Sequence, residues 1–177
     1  MHGRQPPASP PTLRQTYANL PDSRKQFADF LHERSDGLGE RPMSDAKTFP
    51  VERTDEEWRR VLTPEQYAVL REHATEQRGS CALLHEHRAG TFTCAGCGQA
   101  LFVADRKFDS RTGWPSFFAP LEGAIGSTVD RDYGMTRTEV HCSQCGGHLG
   151  HVFEDGPPPT GLRYCINGVA LSFEPAH

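Results

Sequence analysis

Two copies of one short device constrain this chain more than anything else in it: Cys94-Ala-Gly-Cys97-Gly98 and Cys142-Ser-Gln-Cys145-Gly146. Two residues between cysteines let a tight turn aim both thiolates at one point, and the following glycine lets backbone amides turn toward the sulfurs. Two such turns offer four thiolates to one ion, a set that suits tetrahedral zinc. A redox CxxC of the thioredoxin kind usually occurs once, at a helix start within a βαβ pattern, and this sequence lacks that texture. A structural zinc site is worth on the order of 10–16 kcal/mol apparent, comparable with the whole stability of a domain, about 5–15 kcal/mol. One structural zinc ion, held by Cys94, Cys97, Cys142 and Cys145, is therefore expected to hold the fold together. A closed four-thiolate site leaves no position for a substrate, so catalysis is expected elsewhere.

The 177 residues suffice for one domain with something extra. Residues 1–45 hold six of the fourteen prolines and no cysteine, and are expected to be a disordered extension. Tyr17 to Arg34 offers a transient helix there, and Met43 a candidate true start. A domain is expected over 46–177. Within it, Thr54-Asp-Glu-Glu57 and Thr63-Pro64-Glu65-Gln66 match capping boxes. Two short helices follow, the second running to about His73 and presenting Tyr67 and Leu70 to the body. After Gly90, segments rich in Thr, Phe and Val at 91–94, 99–108, 128–132, 136–142 and 161–173 read as antiparallel strands, separated by long loops at 110–127 and 146–160. The fold class is mainly β.

A net charge of −4 gives no attraction to phosphate backbones, and no apolar run approaches the roughly 18 residues of a membrane span. No apolar leader is present at the start, so the reducing cytoplasm is the expected compartment. Six cysteines there are expected to be ligands or catalysts rather than disulfides.

Removing four ligands leaves Cys81 and Cys165. In Gly161-Leu-Arg-Tyr-Cys-Ile-Asn167, a period of two puts Arg163, Cys165 and Asn167 on one strand face. A cation and an amide beside a thiol favour its thiolate, so the reading is a reactive Cys165 rather than an inert core cysteine. His148 and His151, among glycines, suit general acid or base work near pH 7 or simple solvated loop positions; as zinc ligands they would be redundant. His73, His85, His87 and His141 read as surface residues. The loop Gly113-Trp-Pro-Ser-Phe-Phe118 reads either as a plug for a sheet end or as an apolar cage for a group such as a methyl.

Together the two knuckles, Phe108-Asp-Ser-Arg-Thr-Gly-Trp-Pro-Ser-Phe117, His148-Leu-Gly-His-Val-Phe153 and Gly161–Asn167 closely resemble the methionine-R-sulfoxide reductase B family, over about residues 55–174. The resemblance implies two twisted antiparallel sheets with short N-terminal helices, a structural zinc opposite the active site, and reduction of the R epimer of methionine sulfoxide, chiefly in proteins. It makes Cys165 the nucleophile and seats the substrate methyl against Trp114. His148, His151 and Asn167 then surround the sulfoxide oxygen, with Phe153 in the same pocket. Arg163 favours the thiolate, and Asp155 orients the neighbouring loop. Thioredoxin is the family's usual reductant. Many members carry the recycling cysteine two residues before the loop tryptophan, where this chain has Thr112. Cys81 is then the remaining candidate, the alternative being direct reduction of the sulfenic acid by an external thiol. A non-catalytic zinc ribbon using the Trp114 loop to grip a ligand is the rival reading, although it leaves Cys165 without a use. A monomer is expected.

Overall fold

Both N-terminal helices start where their capping boxes place them. In the computed structural model, which describes residues 48–131 and 134–177, Thr54 caps α1 (Asp55–Val61) and Thr63 caps α2 (Pro64–Glu72). Each threonine hydroxyl accepts from the third helical amide, and the side chain there returns the bond: Thr54 N donates to Glu57 Oε2 at 2.7 Å and Thr63 N to Gln66 Oε1 at 3.0 Å. α2 ends at His73, in the left-handed region at φ 57°. Trp58, Tyr67, Val69 and Leu70 form the buried faces of the pair. The expected extension, the Tyr17–Arg34 helix and the Met43 start lie outside the described residues.

The strands form two antiparallel sheets. The smaller has the order β2 (Ala100–Val103), β1 (Gly90–Cys94), β9 (Leu171–Pro175). The larger runs β3 (Lys107–Phe108), β4 (Ser116–Phe117), β8 (Arg163–Ile166), β7 (His148–Phe153), β6 (Arg137–Cys142), β5 (Ile125–Asp130). The mainly β architecture is thus the expected one, but two expected strands are each divided between sheets. Segment 99–108 becomes β2 and β3 around a 3-10 turn at Ala104–Arg106, and 161–173 becomes β8 and β9 around a 3-10 turn at Gly168–Ala170. Composition marks extended backbone; it carries no signal for a change of sheet.

The two expected loops also contain strands. Residues 110–127 include β4 and the start of β5, and 146–160 include β7. Glycines 147 and 150 look like breakers, yet Gly150 sits within β7 because a Cβ there would collide with the carbonyl oxygen of Cys165 on β8. The glycine permits close strand approach rather than a turn.

Between the sheets lies an aromatic core. Phe102 of the smaller sheet stacks on Phe117 of the larger with ring centroids 4.2 Å apart, and Phe92 meets Phe117 edge-on at 5.0 Å. All three are fully buried. Among the described residues no helix is long and apolar enough to cross a membrane. Truncating Phe117 to Ala is expected to destabilise the fold by about 3–5 kcal/mol, against about 1 kcal/mol for the cap change Thr54→Ala. Urea unfolding midpoints of the two variants check that ranking.

Candidate active site and metal centre

The two knuckles are superimposable in their hydrogen bonding. Gly98 N donates to Cys94 O at 2.8 Å and Gly146 N to Cys142 O at 2.9 Å; Cys94 N reaches Gln99 O at 2.8 Å and Cys142 N reaches Gly147 O at 2.9 Å. Gly98 and Gly146 take φ of 78° and 67°, which a side chain would resist. The four sulfurs lie within 4.8 Å of one another, with Cys94 and Cys145 at 3.7 Å and Cys97 and Cys142 at 3.6 Å. Thiolates about 2.3 Å from a tetrahedral ion stand roughly 3.8 Å apart, so the spacing fits a metal ion at their centre. Crowded sulfurs share protons: hydrogen bonds from its neighbours push the Cys94 thiol up, while the same contacts pull Cys97 down.

Cys165 lies on β8 between β4 and β7. Its register partners are Ser116 on one side and His151 on the other. Thr112 Oγ1 is 3.9 Å from Cys165 Sγ, at the end of a hydroxyl chain through Ser110 to Ser116 with steps of 2.8 and 2.7 Å. Burial pushes the Cys165 thiol up, and the lowering influences of Thr112, Arg163 and Ser116 do not overcome it. The expectation of a depressed thiol is corrected here: the neighbours act as foreseen, but desolvation is stronger. Arg163 is also engaged elsewhere. It grips Asp155 through Nε at 2.8 Å and a terminal nitrogen at 2.9 Å, and its guanidinium lies 4.5 Å from the Phe153 ring centroid.

The histidines belong to β7 rather than to a solvated loop. His148 is buried and its Nδ1 lies 2.6 Å from Glu139 Oε1; His151 Nε2 lies 2.8 Å from Asp130 Oδ2. The rings meet edge-on, centroids 5.6 Å apart. A carboxylate only accepts, so each contact fixes a tautomer: His148 carries its hydrogen on Nδ1 and His151 on Nε2. Burial holds His151 below the usual imidazole range, against the pull of Asp130. Burial alone raises the Glu139 carboxyl, but His148, His73 and Thr128 outweigh it and bring it down to about 2. Two expected surface histidines behave differently. His141 is buried against Phe49, with ring centroids 5.7 Å apart; His73 is exposed as expected, yet its Nδ1 sits 2.9 Å from Glu139 Oε1.

One residue that sequence reasoning missed organises the rest. Glu76 is 9% exposed. Its carboxylate accepts from Gly168 N at 2.7 Å and Val169 N at 2.9 Å, its amide donates to Asn167 Oδ1 at 3.0 Å, and its carbonyl accepts from Trp114 Nε1 at 3.3 Å. Asn167 returns Nδ2 to Leu149 O at 3.0 Å, so both ends of the amide are committed to the scaffold rather than turned to the thiol. Trp114 is half-buried, while Phe117 and Phe118 of its loop are core. Cys81 is seated as the cap of the 3-10 turn Ala82–His85, accepting from Leu83 N at 3.3 Å, and burial pushes its thiol up. It packs so closely on Gly168, three residues after Cys165, that a Cβ there would collide with its sulfur.

The half-buried Cys165 thiol, opposite the carboxylate-anchored His151, stands apart from the four-cysteine cluster, a site and a candidate metal centre of the kind found in oxidoreductases. The chain belongs to the SelR domain family, whose model matches residues 62–175. It is 57% identical over 138 residues to a protein of Bradyrhizobium diazoefficiens named peptide methionine sulfoxide reductase MsrB, covering 75% of this chain and 99% of that protein. Proteins of the same name from Agrobacterium fabrum and Leptospira interrogans are 52% and 51% identical, covering 75% and 71% of this chain and 99% and 97% of theirs.

The Glu139 cluster predicts a pH dependence. A carboxyl held at about 2 against an ordinary value of 4.5 contributes stability that is complete above the higher value and is lost as pH falls through the lower. The advantage of wild type over Glu139→Gln is expected to shrink by on the order of 3 kcal/mol between about pH 5 and about pH 2, read by chemical unfolding at each pH.

Proposed function

We propose that the chain reduces the R epimer of methionine sulfoxide in proteins through a Cys165 sulfenic acid, which Cys81 resolves to a disulfide and thioredoxin recycles. As a member of this family it is an oxidoreductase acting on methionine sulfoxide. The observation that supports the route is the strand register: Cys165 stands opposite His151, with the anchored His148 ring beside it and Trp114 held by the Glu76 carbonyl.

The resting thiol is protonated, and a neutral imidazole of the pair accepts its proton once substrate fills the site. The thiolate bonds to the sulfoxide sulfur as the imidazolium gives its proton to the oxygen, and the hydroxyl then passes to the Cys165 sulfur as that S–S bond breaks. The S–O bond of the substrate breaks as an S–O bond to Cys165 forms, so methionine sulfur gains two electrons and the cysteine becomes a sulfenic acid. Trp114 and Phe153 give the methyl and sulfur an apolar seat, and Asp155 steadies Arg163 beside the developing charge. Cys81 then attacks the Cys165 sulfur, the hydroxyl leaves as water, and thioredoxin's dithiol reduces the disulfide. Asn167 acts through its neighbours, positioning the turn after Cys165. Thr112, facing Cys165 where many members have a cysteine, makes Cys81 the intramolecular partner.

The four-cysteine centre holds zinc, which supplies structure and no reaction step. Thiolate donors at this spacing favour it, and Arg53 and Arg71 reach the knuckle carbonyls of Gly96 and Cys145 at 3.1 and 3.0 Å, adding positive charge beside an anionic site. A groove of about 250 Å³ lined by Arg78, Lys107, Arg111 and Gly113 gives the peptide around an oxidised methionine a place to lie. The catalytic domain spans 46–177, works as a monomer in the cytoplasm, and carries 1–45 as an extension.

With dithiothreitol, wild type is expected to reduce only the R epimer of a methionine sulfoxide peptide, and Cys165→Ser neither. Cys81→Ser is expected to keep dithiothreitol-supported turnover and lose the thioredoxin-supported reaction; unchanged thioredoxin turnover would overturn the Cys81 role. Zinc removal by a strong chelator is expected to unfold the protein rather than merely inactivate it, seen as loss of the cooperative thermal transition in circular dichroism.

A further inference from the structure

Away from the cysteine knot, one other group of donor atoms converges among the described residues: His73, Glu139 and His148, whose ligand atoms all lie within 4.8 Å of one another. Both rings aim Nδ1 at the same carboxylate oxygen, His148 at 2.6 Å and His73 at 2.9 Å from Glu139 Oε1. The ring centroids are 5.1 Å apart, with the planes inclined at 42°. The donors come from three elements, the end of α2, β6 and β7. They grade from interior to surface, with side-chain exposures of 3% for His148, 14% for Glu139 and 61% for His73. Glu139 needs only one imidazole to orient His148, and the second ring on the same oxygen has no part in the proposed reaction.

We propose that His73, Glu139 and His148 form a second metal site, separate from the four-cysteine centre, for a divalent first-row transition ion such as zinc, and that its occupation withdraws His148 from catalysis. Two neutral imidazoles and one ionised carboxylate carry a single negative charge, and they are the donor set of open zinc sites that keep a position for water. Imidazole ligands also suit nickel and copper. The ion takes the place of the two hydrogens that bridge the rings to Oε1. Each ring moves its hydrogen from Nδ1 to Nε2, and the carboxylate exchanges two N–H donors for one cation; nothing is oxidised or reduced.

Donor separations around such an ion are roughly 3.3–3.5 Å, so the present 2.6 and 2.9 Å contacts must open by less than about 1 Å. The exposed His73 side chain has room to open its own contact, and a small shift of the partly exposed Glu139 carboxylate has to open the one to the buried His148. Once metallated, His148 has no basic nitrogen left, since Nδ1 holds the ion and Nε2 a hydrogen. This last consequence rests on the functional reading given above, whereas the binding does not.

The test uses full-length protein whose cysteine site already holds one zinc per chain, verified by native mass spectrometry, titrated with Co²⁺ without thiol reductant. One further equivalent is expected, with visible d–d bands, no sulfur-to-cobalt charge transfer, and displacement by Zn²⁺. His73→Gln is expected to weaken binding by roughly tenfold or more, while the exposed-histidine control His87→Gln binds as wild type. Absence of a second equivalent, a thiolate charge-transfer band, or equal weakening in the control overturns the site. In single-turnover reduction of a methionine sulfoxide peptide, one added equivalent of Zn²⁺ is expected to inhibit wild type but not His73→Gln, whose metal-free turnover matches wild type. Binding with no inhibition would keep the site and overturn the role assigned to His148.

Discussion

The meeting of four sulfurs is the constraint on which the rest of the structure depends. β1 of the smaller sheet and β6 of the larger each end in a cysteine, and each knuckle contributes one more. The sheets thus meet at one end in the four-cysteine cluster and elsewhere in the aromatic packing of Phe92, Phe102 and Phe117. The helices close this end: Trp58 and Leu70 pack on Gly96, and the guanidiniums of Arg53 and Arg71 lie 4.8 and 5.0 Å from the Trp58 ring centroid. With zinc bound there, as proposed, a modest apolar core is enough, because the ion fixes the relative placement of its two layers.

Hydrogen bonds tie the helical end of the fold to the surroundings of Cys165. Glu76 follows closely on α2 and reaches the turn after β8 and the Trp114 loop together, so the tryptophan, the backbone beyond Cys165 and the Asn167 amide share one anchor. On the opposite flank, Glu139 and Asp130 set the tautomers of the two imidazoles. Carboxylates perform this positioning because they only accept, and a group that only accepts leaves no ambiguity about where the hydrogens lie.

How far the sequence could be read follows from the range of the interactions involved. The capping boxes at Thr54 and Thr63 and the two knuckles are made within a few residues, and they were legible. The division of 161–173 between two sheets was not, because the turn that divides it is held by Glu76, more than ninety positions away. Glu76 itself gives no local sign, being a single acid in Ala74-Thr-Glu-Gln-Arg78. The residue types around Cys165 were visible in its strand, and their influence has the expected sign. Its desolvation was not visible, since burial is a property of the assembled sheets. His73 and His141 read as bland surface residues for the same reason: the partners that engage them come from distant elements.

The suppressed ionisation of the buried Cys165 thiol has a consequence for survival in the conditions that oxidise methionine. Peroxide and hypochlorous acid attack thiolates far faster than thiols, so a cysteine kept protonated at rest is a poor target for the oxidants that damage methionine. In the mechanism proposed above, reactivity is deferred until a sulfoxide occupies the site and the imidazoles can move the proton. A permanently ionised nucleophile would turn over faster in isolation and be consumed first under oxidative attack; desolvation trades some speed for persistence.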